Sequence, residues 1–337
     1  MTTSLRQKPP TLADVAKRAG VSRSLVSLAI RGEGYVRAES REKILKAVQE
    51  LNYVPNFAAR TLASARSSYV GTLVGDVTNP LQAEIAKWVT VLTAENGRGA
   101  LLSIDAGTDQ KAEQAIESLM SLRVPSAILI GAPYEKVAIA RVAERLPSVY
   151  IGRLLKVVDI DSVTTDHILG ANIAVDHLVS VGCRRIVHLG GGASPGAQRM
   201  ETGYREAMAR HGLSEHAEVV RSAYSVDAGA MAGRALFARD RLPDAIFACS
   251  DLTAIGVLNE AVKHGISIPD QLCVMGYDDV TLSGSETLAL SSIHQSARDL
   301  AEAGIKALER RLENPDAPRE KVLVLPRLAV RRSTSRT

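Results

Sequence analysis

The chain has 337 residues, enough for two or three domains, with 46% hydrophobic and 23% charged residues. These proportions exclude a disordered or fibrous protein, and no apolar run reaches the ~18 residues of a membrane helix. Three scattered cysteines, Cys183, Cys249 and Cys273, fit neither a disulfide framework nor a zinc site, and suit a reducing cytoplasm.

The first ten residues, MTTSLRQKPP, contain no apolar core, so no export signal is expected. Residues 1–68 hold 12 Lys and Arg against 5 Asp and Glu, a net +7, which leaves −3 for residues 69–337. A basic head on a mildly acidic body suggests an anionic polymer as partner. A solvated basic arm is the plainer alternative, so the local pattern must decide.

Thr11-Leu12-Ala13-Asp14 reads as a capping box opening a helix over 12–19, with Leu12, Val15, Ala16 and Ala19 on one face. Gly20 tolerates the left-handed backbone that ends it. Ser22 caps a second helix over 23–30, which buries Val26 and Ile30. A third helix over 40–52 adds Ile44, Val48 and Leu51. The small Ala16, the turn at Gly20 and the apolar Val26 are spaced as a helix-turn-helix requires. The outward side carries Arg23, Ser24, Ser27, Arg31 and Arg37, groups suited to base edges and phosphates. Pro55 then precedes an Ala-rich segment of about two helical turns, and 64–68 read as a linker. So short a helix is marginal alone and needs a partner: its twin, DNA, or both.

From residue 69 short apolar runs alternate with amphipathic helical patterns. Strands are expected over 70–74, 100–104, 127–130, 149–151, 186–189, 245–248 and 272–275. Helices are expected over 81–96, 109–122, 168–181, 197–211 and 252–264. This alternation predicts parallel sheets with right-handed crossovers, and some 260 residues suit two sheets. Ligands of such sheets bind beyond the carboxyl ends of the strands. The loops there concentrate Asp, Asn, Arg and Tyr, able to hold a polyhydroxylated or heterocyclic small molecule.

Other patterns read blandly. Gly190-Gly191-Gly192 lacks the following Lys-Ser/Thr of a phosphate loop and reads as a flexible cleft loop. The seven histidines show no metal spacing, and no Gly-x-Ser-x-Gly elbow occurs. No metal, no cofactor and no enzymatic activity are therefore expected. Trp88 is expected to pack in the core or at a dimer interface. Residues 331–336 read as a solvated tail without the leucine heptads of a tetramerising coil.

Two segments carry a resemblance. Thr11-Leu12-Ala13-Asp14-Val15-Ala16-Lys17-Arg18-Ala19-Gly20-Val21-Ser22 and Leu51-Asn52-Tyr53-Val54-Pro55-Asn56 resemble the LacI/GalR family of bacterial transcription regulators, and the likeness extends over essentially the whole chain. It implies an all-α helix-turn-helix DNA-binding domain plus an α/β periplasmic-binding-protein-like body of two doubly wound parallel-sheet subdomains. The implied limits are 1–54 for the head and 55–68 for a hinge helix and linker. The N-terminal subdomain would take 69–166 with 297–323, and the C-terminal one 167–296 with 324–337.

The resemblance implies base contacts from Arg23 and Ser24, supported by Ser27. Thr11, Ser22, Leu28, Arg31 and Asn56 join the DNA-binding set. The hinge helix would enter the minor groove, with Leu62 wedging the central base step and Ala59 one turn earlier. Many relatives carry Arg at Leu28 and Asn at Arg31, so the operator does not transfer. For the effector, the resemblance implies Asp76, Asn79, Leu81 and Gln82, a clamp from Arg199, stacking by Tyr224 and acceptance by Asp278. Arg153, Asp166, Ser250 and Gln295 complete the set. Gly152 stands where relatives often have Asp, and Leu81 where they often have Phe, which puts a standard hexose in doubt.

The implied function is a cytoplasmic, nucleoid-associated homodimeric repressor on palindromic double-stranded operator DNA, modulated by a sugar, polyol or related metabolite. A solute-binding protein of a transporter shares the body, but the absent export signal and basic head oppose it. A doubly wound enzyme lacks a catalytic set.

Overall fold

The computed structural model describes residues 10–31, 34–54, 69–104, 109–131, 136–154 and 160–335. They fall into two compact units divided at Ser67 and Ser68.

The first unit contains helices α1 (Leu12–Ala19), α2 (Arg23–Arg31) and α3 (Ala38–Glu50). The capping box is formed: the Thr11 N–H donates to Asp14 Oδ2 at 2.8 Å, and the Asp14 N–H to Thr11 Oγ1 at 3.4 Å. Gly20 has φ of 67° and returns its N–H to the Ala16 carbonyl, which turns the chain into α2. Ser22 caps α2 by accepting the Leu25 N–H at 3.2 Å. Val15, Ala16, Val26, Ala29, Ile44, Ala47 and Tyr53 form the core, with Leu12, Ala19, Ile30, Val48 and Leu51 packed around it. Helix α3 ends two residues short of its sequence pattern, and the left-handed Asn52 (φ 46°) follows.

The second unit holds twelve described strands in two six-stranded sheets. The first sheet uses β1 (Tyr69–Val74), β2 (Gly99–Ile104), β3 (Ala127–Ile130), β4 (Ser148–Ile151), β5 (Asp161–Thr165) and β11 (Lys321–Val324). Its order is β11-β5-β4-β3-β1-β2, parallel throughout. The second uses β6 (Ile186–Gly190), β7 (Glu218–Arg221), β8 (Ala245–Ala248), β9 (Cys273–Asp278), β10 (Ser291–His294) and β12 (Arg327–Ala329). Its order is β12-β10-β9-β8-β6-β7, parallel except for β10 with β12.

Helices α4 (Pro80–Glu95), α5 (Asp109–Ser121), α6 (Lys136–Arg145) and α11 (Ala297–Glu313) belong to the first lobe. Helices α7 (His167–Ser180), α8 (Pro195–Arg210), α9 (Val226–Phe237) and α10 (Asp251–Lys263) belong to the second. Alternate residues of each central strand bury into opposite clusters, such as Val70 and Val74 against Leu73. The chain passes between the sheets three times: after β5, after β10 and after β11. The first lobe is closed by Asp161, 1% exposed, which accepts from Arg311 at 2.8 Å, Arg310 at 2.9 Å and the Glu320 N–H at 2.8 Å.

Five strands, β5, β7, β10, β11 and β12, are absent from the hydropathy reading. The tail reading is also corrected. Ser333 and Thr334 are buried, and the Ser333 hydroxyl donates to the Val274 carbonyl at 2.7 Å. Arg331 pairs with Asp279 at 2.7 Å. Ser333 and Thr334 are polar because they meet hydrogen-bonding groups of β9 and β10.

Candidate functional site

In the head, Arg23 and Ser24 at the start of α2 are exposed, while Ser27 and Leu28 are half-buried. The Leu28 side chain lies over Gly34, where an added Cβ would stand 3.6 Å from its Cδ2. Thr11 and Ser22 spend their hydroxyls on the caps of α1 and α2. The Arg31 side chain, and Asn56, Ala59 and Leu62, lie outside the described residues. Tyr35, 89% exposed between α2 and α3, was not singled out by sequence. An aromatic amid Gly and Arg in a basic head is a signal that could have found it.

In the body, one cavity of about 350 Å³ opens where the strands of both sheets end. Seven of the eleven cleft candidates line it: Asn79, Leu81, Gln82, Arg153, Tyr224, Asp278 and Gln295. The first lobe places Asn79 as the cap of α4, its Oδ1 accepting the Gln82 N–H at 3.2 Å. Gln82 Oε1 accepts the Asp76 N–H at 2.9 Å. Its amide fills the space over Gly131, where a Cβ would come within 2.2 Å of Gln82 Cδ. Arg153 sits 5.6 Å from the centre of the Tyr150 ring. Burial pushes the Tyr150 hydroxyl up to about 12.

The second lobe supplies Tyr224, whose ring lies against Gly191 and whose hydroxyl bonds Ser194. Asp278 has φ of 112°, a strained backbone for a residue with a side chain, and such strain concentrates at functional sites. Its Oδ1 accepts from Gln295 Nε2 at 2.6 Å, and Gln295 Oε1 accepts from the Thr165 hydroxyl at 2.5 Å. This chain joins the ends of β9, β10 and β5, across two of the three crossings. Burial, with Asp251 adding like charge, holds the Asp278 carboxyl well above the usual carboxylate range.

Four candidates do not line the cavity. Asp76 turns to Thr78, accepting its N–H at 2.8 Å. Ser250 is buried as the cap of α10. Asp166 caps α7, and Arg199 lies 3.6 Å from it. On α8 the lining residues are Gly196 and Met200, four apart on one face. Arg199, three residues after Gly196 on the same side of α8, has its guanidinium drawn to Asp166. Sequence reasoning also passed over His167, Tyr150 and Tyr277. With Tyr224, three of the chain's eight tyrosines meet in this cavity despite the low aromatic content. Among the described residues no group of His, Cys, Asp and Glu could hold a metal ion, and no helix is long and apolar enough to cross a membrane.

A family model described as bacterial regulatory proteins, lacI family, matches residues 11–56, and one described as a periplasmic binding protein-like domain matches 175–334. The ribose operon repressor of Escherichia coli (strain K12) is 30% identical over 328 residues, 96% of this chain and 99% of its own. The chain belongs to the LacI family of bacterial regulatory proteins. It is a DNA-binding transcriptional regulator. The transcriptional repressor PurR of Histophilus somni is 27% identical over 96% of this chain and 98% of its own. Among solved structures, the Lac repressor dimer bound to operator and the anti-inducer ONPF matches with a TM-score of 0.84 at 26% identity, covering 97% and 99% of the two chains. A complex of the regulator CelR with cellobiose matches with a TM-score of 0.70 at 28% identity, covering 96% and 99%.

Proposed function

We propose that this protein is a cytoplasmic repressor that binds palindromic operator DNA as a homodimer and releases or grips it according to a small metabolite in the body cleft. The metabolite belongs to the sugar, polyol or related class. The reading includes no catalytic step. Arg23 and Ser24 read base edges, with Ser27, Leu28, Arg31 and the caps Thr11 and Ser22 setting the helix in the groove. Asn56, Ala59 and Leu62 form the hinge, with Leu62 as the wedge. The effector is held by Asn79, Leu81, Gln82, Arg153, Tyr224, Asp278 and Gln295. Asp76, Asp166, Arg199 and Ser250 support it from behind.

The observation that carries this reading is the placing of the cleft at the crossings between lobes. Thr165, Gln295 and Asp278 line it and are tied to one another there. A ligand touching both lobes binds more tightly at one lobe angle than at others, and this differential is all that allostery requires. The test has two arms. Sites selected from a random duplex library should be palindromic. Leu62→Ala should then weaken binding to them more than to random DNA, and equal losses on both would remove the wedge role.

A further inference from the structure

One apolar side chain stands on the outward side of α2. Val26 and Ala29 are buried in the core of the head. Each residue turns a helix by about 100°, so Leu28 stands about 200° from Val26 and faces away from that core, one turn after Ser24. The chain that follows α2 runs back beside it. A Cβ at Gly34 would stand 3.6 Å from Leu28 Cδ2 and 3.9 Å from Cδ1. The next residue is Tyr35, 89% exposed. Val36 packs against the core and pins the backbone, and Arg37 is exposed again. Tyr35 is thus held out from a backbone that adjoins the outward side of α2.

DNA offers such a pair one partner among its bases. In the major groove adenine, guanine and cytosine show donors and acceptors, whereas thymine adds a C5-methyl group. The leucine side chain has no hydrogen-bonding atom, so the methyl is the one base group it can single out. A tyrosine ring gives the same methyl a flat apolar surface and leaves its hydroxyl in water or on a phosphate. Charge points to the same partner. The head carries a net +7, and the exposed Arg23 and Arg37 flank the pair in sequence and suit phosphates.

We propose that Leu28 and Tyr35 together form a thymine reader, closing on the C5-methyl of one thymine in each operator half-site. The proposal rests on α2 being the recognition helix, and names a base that this helix reads.

The test uses the full chain and a duplex site selected from a random library. Each thymine is replaced in turn, in both half-sites at once, by deoxyuridine, which lacks only the methyl. At one position the swap should weaken binding about fourfold per half-site, the worth of one buried methyl group, and about fifteenfold for the pair. Leu28→Ala and Tyr35→Ala should each weaken binding to the thymine duplex and shrink the effect of the swap to about twofold or less. Tyr35→Phe, which keeps the ring, should keep the full effect. Binding to random DNA should stay within about twofold of wild type, which reports a folded head. Tyr35 is exposed, so Tyr35→Ala carries the test if Leu28→Ala fails to fold.

If no thymine is sensitive to the swap, the proposal is overturned by the DNA alone, whatever the variants do. A swap effect undiminished in both alanine variants overturns the pair as the reader. One undiminished in Tyr35→Ala only, with equal losses on selected and random DNA, makes Tyr35 a phosphate contact and overturns its part. Arg23→Ala separates the underlying reading. A loss on the selected site without any methyl effect removes the thymine reader alone, whereas indifference to Arg23→Ala and to both alanine variants removes α2 as the recognition helix.

Discussion

The Nδ1 of His167 lies 3.0 Å from the Tyr277 hydroxyl, and this bond ties the start of α7 to β9 within the second lobe. His167 follows the first crossing, and Tyr277 belongs to β9 of the second sheet. On its other side His167 Nε2 is 3.4 Å from Thr164 Oγ1, which itself donates to the Gly152 carbonyl at 2.9 Å. Thr164 has one proton and has spent it, so it must accept from Nε2–H. The tautomer follows: Nε2 carries the proton and Nδ1 accepts from Tyr277. Burial supports this by pushing the His167 pKa down to about 4, so the ring is neutral at pH 7.

Nitrogen shifts of labelled histidine should therefore place the His167 proton on Nε2 at pH 7. Tyr277→Phe removes the donor and leaves a buried nitrogen unmet, which costs about 1–3 kcal/mol in urea unfolding. An Nδ1-protonated ring, or no loss of stability in the variant, would contradict the chain of bonds.

His188 gives a pH-dependent test. It is fully buried, bonds the Phe247 carbonyl through Nδ1 at 2.9 Å, and burial pulls its pKa from 6.5 to about 4. The unfolded chain binds this proton from pH 6.5 downward, whereas the folded chain resists it until about pH 4. Stability is therefore lost as pH falls across that window, by up to about 3 kcal/mol for this ring. Asp251, raised to about 6 by burial, acts in the opposite direction, so the wild-type curve mixes both. His188→Gln isolates the histidine. Its stability deficit relative to wild type should shrink steadily between pH 6.5 and 4, and a constant deficit would rule the histidine out.

Asp161 and Arg311 are 1% and 3% exposed and meet through Nε at 2.8 Å and Nη2 at 3.2 Å. Replacing one partner leaves the other charge buried. Asp161→Asn should cost about 3–5 kcal/mol. The loss should change little with added salt, because a buried pair is poorly screened. A loss below 1 kcal/mol, or one that salt abolishes, would show the pair to be open to water.

How much of this was legible in the sequence follows from what each signal reports. The head was legible almost residue by residue. Thr11 with Asp14, Gly20 and Ser22 are local devices whose geometry depends on near neighbours in sequence. The apolar strands were equally plain. The missed ones, such as Asp161–Thr165 and Ser291–His294, are polar yet buried, because their side chains bond groups that only the fold brings near. Asp161 waits for Arg311, and Ser291 for Thr334 at 2.7 Å. The same limit applies to the cleft. Asn79 and Gln82 sit in one turn and were found together. His167 and Tyr277 are 110 residues apart and reveal their pairing only in space.

The recognition helix has its own test. On a selected site, Arg23→Ala should cost about 1–3 kcal/mol, with little change on random DNA. Wild-type binding to random DNA should fall steeply with salt, as expected for a head of net +7. An equal loss on both DNAs would make Arg23 a phosphate contact only.

Under the proposed function, head and cleft are energetically linked. The most direct test of this link is a closed thermodynamic cycle on the full chain, using a selected operator duplex and whichever small molecule stabilises the protein in the cleft. Operator affinity is measured with and without the molecule, and the molecule's affinity with and without operator. Both affinities should change by the same factor, in the range of about 5–150-fold typical of allosteric coupling. An operator affinity untouched by a saturating cleft ligand would contradict it.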